Sequence, residues 1–422
     1  MKKSLFCIFL LWVIIPLATS QTVTLKDCYD KARDHYPLLQ GKEKLGRMTD
    51  LSIRNVKSRW LPQSEVSGQA SWQNEVPGID GDASMAGLSL PEAPKDQYNM
   101  MLDVNQTIYD AGRTSASSQL EEISGELEQQ DIEVQLYQLR HRITELFFSV
   151  LMVREQKQQV QSKIRTIESR REELRDMLEN GAVEKSEVQS MDAEYHQATQ
   201  QLVSVRNDMD VLLENLSSFI GKELESASDL KTPSAGDLLS PSVHPEVRYY
   251  DLQRQVIDHQ MKVTQRDRWP VLGAFGRAGY GNPGFNMLKD EFRPMLMVGI
   301  RLEWTPWDWQ QTRREKLALQ EKKELVQIRE ETFRVNQQRS VNKMKGEAEK
   351  YLEMMEHDDE IVRLREAIAA KSEKRLKNGT ITAADYLSDL DAKVEARIKR
   401  NIHHLQYLQS MAVKRLEEAS EP

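Results

Sequence analysis

Cysteine is almost missing from this chain: two in 422 residues, one of them in the first twenty. That excludes both a disulfide framework and a cysteine-based zinc site. Basic charge is not in excess either. Lys and Arg number 58 against 66 Asp and Glu, a net charge of −8, so the basic footprint of a nucleic-acid-binding protein is absent. No long hydrophobic run follows residue 20, and with 29% charged residues and a mean hydropathy of −0.62 a polytopic helical membrane protein is excluded. Catalytic signatures are lacking too: there is no HExxH, no phosphate-cradling glycine loop and no nucleophile elbow. The eight histidines are scattered, and the adjacent His403 and His404 point to different faces of a helix rather than sharing a metal. The expectation is a non-enzyme without cofactor or metal, long enough for two or three ordinary domains.

What is present begins with an export signal. Lys2 and Lys3 precede a short apolar stretch, Leu5 to Leu17, broken by Pro16, and Ala18-Thr19-Ser20 offers small residues for cleavage after Ser20. The run is too short for a membrane-spanning helix. Residues 1–20 therefore read as a signal peptide, and the mature chain keeps one thiol, Cys28, expected to be a semi-buried packing residue.

The remainder reads as an internal duplication. Pro37 and Pro245 lie 208 residues apart, as do Pro62 and Pro270, and Gly68 and Gly276. Asp110 and Asp308 lie 198 apart, as do Gly181 and Gly379. One length change between Gly68 and Asp110 accounts for the difference. The first repeat spans 21–221, with strands near 64–74 and 98–109 and long helices near 112–178 and 186–219. A poorly hydrophobic linker, 222–244, leads to the second repeat, 245–422, with strands near 271–281 and 295–305 and helices near 310–376 and 382–417.

The four strand segments alternate with period two over a length that suits a tilted bilayer crossing. Val66, Gly68, Ala70 and Trp72 oppose Glu65, Ser67, Gln69 and Ser71. Tyr98, Met100, Leu102, Val104 and Ile108 oppose Asn99, Asp103, Asn105 and Thr107. Leu272, Ala274, Ala278 and Tyr280 oppose Gly273, Phe275 and Arg277, and Leu296, Val298, Ile300, Leu302 and Trp304 oppose Arg301 and Glu303. Aromatics gather at both ends: Trp60, Tyr109, Trp269, Trp304, Trp307 and Trp309 on the helix side, Trp72, Tyr98 and Tyr280 on the loop side. Aromatic side chains favour membrane interfaces, where one part is dry and the other wet. Four strands cannot close a barrel, and open edges are not tolerated in lipid, so spanning implies an oligomer. The alternative is a periplasmic or secreted coiled-coil scaffold or adaptor without a membrane span.

The segment 112–178 has no proline and only Gly125 as a weak interruption; unbroken, it would extend roughly 100 Å. Leu139, Leu146, Val153, Val160, Ile167 and Leu174 recur every seven residues, beside a second row, Ile143, Val150, Ile164 and Leu178, with Lys157 and Arg171 as polar exceptions. The second repeat offers Val341, Ala348, Met355, Val362, Ala369 and Leu376. A sustained heptad predicts left-handed supercoiling with partner helices. Each long helix is expected to stop at an Asn-Gly turn, Asn180-Gly181 and Asn378-Gly379, and to be followed by a returning helix capped by Ser186 or Thr382.

These features resemble the outer membrane efflux protein family, the TolC-like channels of diderm bacteria. The resemblance rests on Thr24-Leu25-Lys26-Asp27-Cys28-Tyr29 with Tyr36-Pro37, and on Gln106-Thr107-Ile108-Tyr109-Asp110-Ala111-Gly112-Arg113. It rests also on the paired turns, Asn180-Gly181-Ala182-Val183 with Glu187 and Asn378-Gly379-Thr380-Ile381 with Asp385-Tyr386-Leu387. It implies a mainly helical fold with a small β part: a homotrimer whose twelve-stranded barrel lies in outer-membrane lipid and continues as a helical coiled-coil barrel in the periplasm. It implies a passive exit duct of a tripartite efflux or type I secretion system, reached through a periplasmic adaptor and indirectly an inner-membrane transporter. By position, Asn180, Gly181, Ala182, Val183, Asn378, Gly379, Thr380 and Ile381 would meet the adaptor. Asp385, with Glu187 as its counterpart, would form the periplasmic gate, and Glu65, Asp103, Arg277, Arg301 and Glu303 would face the barrel lumen. The sequence departs from the family at the latch arginine, replaced by Ile381 and Val183, and at the second acid of the ring, where Ser388 stands beside Asp389. Neither the exported substrate nor the identity of adaptor and pump is written in these residues.

Overall fold

The structure, a computed structural model, describes residues 22–76, 93–238 and 244–418. The expected signal peptide, residues 1–20, and part of the expected linker lie outside the described residues. In order the chain forms helices α1 (Leu25–His35) and α2 (Leu38–Lys57), strands β1 (Gln63–Trp72) and β2 (Asp96–Tyr109), and helices α3 (Arg113–Glu179) and α4 (Lys185–Ile220). Then follow α5 (Pro245–Arg266), β3 (Val271–Asn282), β4 (Arg293–Glu303), α6 (Gln311–Lys377) and α7 (Ala383–Glu417). No helix among the described residues is long and apolar enough to cross a membrane.

Both long helices run 67 residues without a break. Each begins under an aspartate that satisfies otherwise orphaned amides. Asp110 accepts from Gly112 N at 2.9 Å and Thr114 N at 2.7 Å. Asp308 accepts from Gln310 N and Thr312 N, both at 3.0 Å. The chain divides into two compact units, and each draws on both halves of the sequence.

One unit comprises residues 37–137 and 243–336. It holds the sheet, in the order β1-β2-β3-β4, with every neighbouring pair antiparallel. A bulge between Thr107 and Tyr109 lets Tyr109, not Ile108, pair with Leu272. The period-two reading breaks there because an extra residue shifts the phase of everything after it. Gly125 does not interrupt α3. It is where α2 comes close, for a Cβ at this position would collide with the side chain of Thr49. In the same unit the His244 ring packs 4.8 Å from Tyr137 and 5.8 Å from Phe333.

The other unit, whose described residues are 22–36, 138–238 and 337–418, carries two apolar cores. In the first, α1, α4 and α7 pack on Phe147, Phe148, Val150 and Leu151 of α3, all fully buried. Cys28 belongs here and is fully rather than half buried; burial pushes its thiol up to about 12, so it is an inert packing group. The heptad row does set the buried stripe, with Val160, Ile167 and Leu174 on α3 and Ala348, Val362, Ala369 and Leu376 on α6 all buried. The polar exception Arg171 lies 4.3 Å over the Tyr195 ring, a favourable cation–π contact.

Gly125→Val is expected to lower stability by about 1–3 kcal/mol through overpacking. Thr49→Ala in the same chain should recover part of that loss, both read from thermal melting followed by circular dichroism.

Candidate functional site

Two features concentrate the chain's unusual chemistry: a sheet with two unlike faces, and a pair of helical turns. On the sheet, register fixes which residues share a face. Glu65 pairs with Asp103, and Asp103 with Arg277, so these three stand in one row. Asp103 and Arg277 form an ion pair across β2 and β3. Arg301 and Glu303 occupy the same face nearer the helix-side end, 3.9 Å apart, and line a shallow cleft with Gln63, Asn105 and Phe275. The Arg301 guanidinium lies 5.1 Å over the Phe275 ring, which folds into room left by the missing side chain of Gly299.

The opposite face is apolar and uncovered. Leu296, Val298, Ile300 and Leu302 are 74%, 76%, 71% and 64% exposed, and Val66, Met100 and Trp72 are similarly open. At the loop-side end Phe292 stacks on Tyr98 at 6.4 Å and on Tyr280 at 5.7 Å. Phe292 was invisible to the alternation because it precedes its strand. The helix-side aromatics Trp304, Trp307 and Trp309 are also exposed.

The two turns are built alike. After α3, Gly181 N donates to Leu178 O at 2.9 Å and Ala182 N to Met177 O at 2.8 Å; after α6, Gly379 N donates to Leu376 O and Thr380 N to Arg375 O, both at 2.9 Å. This is the paired reverse bonding of a Schellman end, which requires a left-handed residue. Gly181 and Gly379 supply it at φ +71° and +65°, and nothing lies within 4 Å of where a Cβ would stand. Backbone conformation, not crowding, selects glycine there. Asn180, Ala182, Asn378 and Thr380 are exposed with them, whereas Val183 and Ile381 turn back onto a core of Ile167, Leu174, Met191 and Tyr386. Val183 and Ile381 are therefore packing residues.

The acidic residues near the turns cap helices. Thr382 begins α7 and forms a capping box with Asp385, whose carboxylate accepts from Thr382 N at 3.1 Å and Thr382 Oγ1 at 2.7 Å. Asp385 is exposed, and the Thr382 hydroxyl, then its amide, hold its carboxyl below the usual range. Glu187 does something its sequence counterpart does not: its carboxylate accepts from the backbone amide of Ala383, tying α4 to the start of α7. Ser186 is not the cap of α4. The helix starts one residue earlier, after Glu184, with no side-chain cap, so Ser186 already lies in the first turn.

Sequence reasoning missed the charged braces below the turns. Lys163 of α3 reaches both Glu194 of α4 and Asp391 of α7. Burial disfavours its charge, but hydrogen bonds to Asp391 and Glu194 outweigh that and raise its pKa. Arg170 joins Glu173 to Glu373 of α6, above the nearly inaccessible Tyr386. The only signal was a lysine on the inner side of a heptad helix, which needs a partner when buried. Among the described residues no three His, Cys, Asp or Glu side chains converge to hold a metal ion.

Residues 28–222 match the family model described as outer membrane efflux protein. No curated protein matches the chain. In fold the chain is similar to the Campylobacter jejuni CmeC outer membrane channel, at 12% identity and a TM-score of 0.67 over 94% of this chain and 87% of that one. It is similar also to the outer membrane protein VceC of Vibrio cholerae, at 12% identity and 0.64 over 94% and 97%. The open state of the Neisseria gonorrhoeae MtrE outer membrane channel gives 13% identity and 0.65 over 93% and 88%.

Replacing either turn glycine, Gly181→Ala or Gly379→Ala, should cost about 1–2 kcal/mol for the left-handed backbone alone, measurable by thermal melting. A depressed carboxyl pKa contributes stability above its unfolded value and loses it as pH falls through the folded one. Thr382→Ala should therefore raise the Asp385 pKa towards the ordinary range and move that loss to higher pH, as read by carboxyl-carbon NMR titration.

Proposed function

From the match of residues 28–222 to the outer membrane efflux protein model, we propose that the chain belongs to that family and is the outer-membrane exit duct of a tripartite efflux or type I secretion system. It acts as a conduit, not an enzyme. Its place is the outer membrane of a diderm bacterium, with a large helical extension into the periplasm. The observation that carries this reading is the sheet: one face apolar and exposed, the other bearing paired charges, and β1 and β4 each with an open edge. In lipid such a sheet is stable only when its edges meet others. Three copies, each giving four strands, would close a twelve-stranded barrel with Glu65, Asp103, Arg277, Arg301 and Glu303 towards its lumen and the apolar faces towards lipid.

The helices support assembly with further copies. Met354, Ile361 and Ile368 recur every seven residues on α6 and, with Leu364, remain 39–47% exposed, an uncovered heptad seam of the kind that a neighbouring coiled-coil helix fills. The shared Asp110 and Asp308 caps and matching glycine turns fit a duplicated repeat, 21–221 and 245–422 about a linker at 222–244. The exposed turn residues Asn180, Gly181, Ala182, Asn378, Gly379 and Thr380 would meet the periplasmic adaptor, with Val183 and Ile381 supporting them from beneath. Three copies of Asp385, held ionised by their caps, would set a negative potential at the periplasmic entrance and attract cations, while Glu187 would steady the start of α7.

The purified protein should run as a trimer in mild detergent, remain with outer membranes after an alkaline wash and conduct across a planar lipid film. A non-conducting monomer, or release into the soluble fraction, overturns the proposal in favour of a scaffold. Ile361→Glu should weaken the trimer. Asp385→Ala should weaken block of single-channel current by multivalent cations, and unchanged block rejects the gate role.

A further inference from the structure

The polar face of the sheet carries one group that its charges do not explain. Register aligns Ser67, Met101, Gly279 and Met295 in a single row across all four strands. Gly279 has no side chain, and a Cβ there would stand 2.6 Å from the Met101 sulfur and 3.4 Å from the Met295 methyl carbon. Two thioethers from non-adjacent strands thus lean over the same bare backbone. Met297 lies two residues along β4 from Met295, on the same face and in the row of Arg277, and is 40% exposed. Met295 itself is only 7% exposed, held in place rather than free in solvent.

The surrounding chemistry distinguishes among ligands. Thioethers are neutral, polarisable donors that suit soft monovalent cations and bind hard divalent ones poorly. Of the carboxylates in the next row, Asp103 is already engaged by Arg277, and Glu65 stands on β1, on the far side of β2 from Met295 and Met297. We propose that Met101, Met295 and Met297 form a binding site for a soft monovalent cation such as Cu(I) or Ag(I) on the polar face of the sheet. Entry replaces water around the cation with sulfur donors and needs no proton transfer. A conduction path requires sites from which the ion can leave again, and two or three neutral thioethers meet that requirement. The site rests on the duct reading only in that this face must meet water.

The test uses full-length protein in detergent with carbon-13 methyl-labelled methionine, titrated with silver nitrate in chloride-free buffer. The Met101, Met295 and Met297 methyl signals, assigned by their loss in single Leu variants, should shift together; reading methyls keeps binding at the Cys28 thiol apart. Magnesium should leave them in place. Because Met and Leu are close in volume, Met101→Leu with Met295→Leu should keep the oligomeric mass and weaken silver binding, read at the Met297 methyl, by about tenfold or more. Unmoved methyls in the unmodified protein, equal shifts with magnesium, or unchanged affinity in the double variant overturn the site. Oligomeric mass measured on the same sample reports on the duct separately.

Discussion

A sheet whose apolar face has no cover and whose two edges have no partner sets the terms for everything else in this molecule. Leu296, Val298, Ile300 and Leu302 project from β4 without a protein surface against them, so their burial must come from outside the chain. A soluble sheet of this size would place a helix over that face. Here that face is left open, and the buried stripes of the long helices are spent on other helices. In the proposed duct lipid would satisfy the face and further copies the edges; neither alone would suffice.

The helical part solves a different problem, that of packing highly charged helices side by side. Apolar heptad positions supply the stripe, while cations between them are fixed by acids on neighbouring helices, as Lys163 is by Glu194 and Asp391 and Arg170 by Glu373. Breaking one partner of such a brace leaves a half-buried charge, which costs more than the intact pair contributes. The braces therefore favour one register of α3, α4, α6 and α7 near the turns. Glu187 adds to this by joining the start of α7 to α4, so the two turns behave as a tied pair rather than as independent loops.

On the sheet, glycine acts as a means of rearranging neighbours. Gly299 admits the Phe275 ring, which in turn carries the Arg301 guanidinium, and Gly279 admits the thioethers of Met101 and Met295. Both positions lie on the polar face, so a surface written in sequence as alternating small and charged residues becomes a set of specific contacts between strands.

The amino-acid order determined the elements. Period-two and period-seven spacings identified the strands and the long helices, and Asn-Gly identified the helix ends, because each of these signals acts within a turn or two of chain. Which strand faced which, and with what consequence, was not written locally. The bulge at Thr107/Tyr109, the pairing of Glu187 with the Ala383 amide, the partners of Lys163 and the meeting of Met101 with Met295 over Gly279 all join residues far apart in sequence. They exist only once register and helix packing bring distant side chains within reach, and no spacing along one segment encodes that distance.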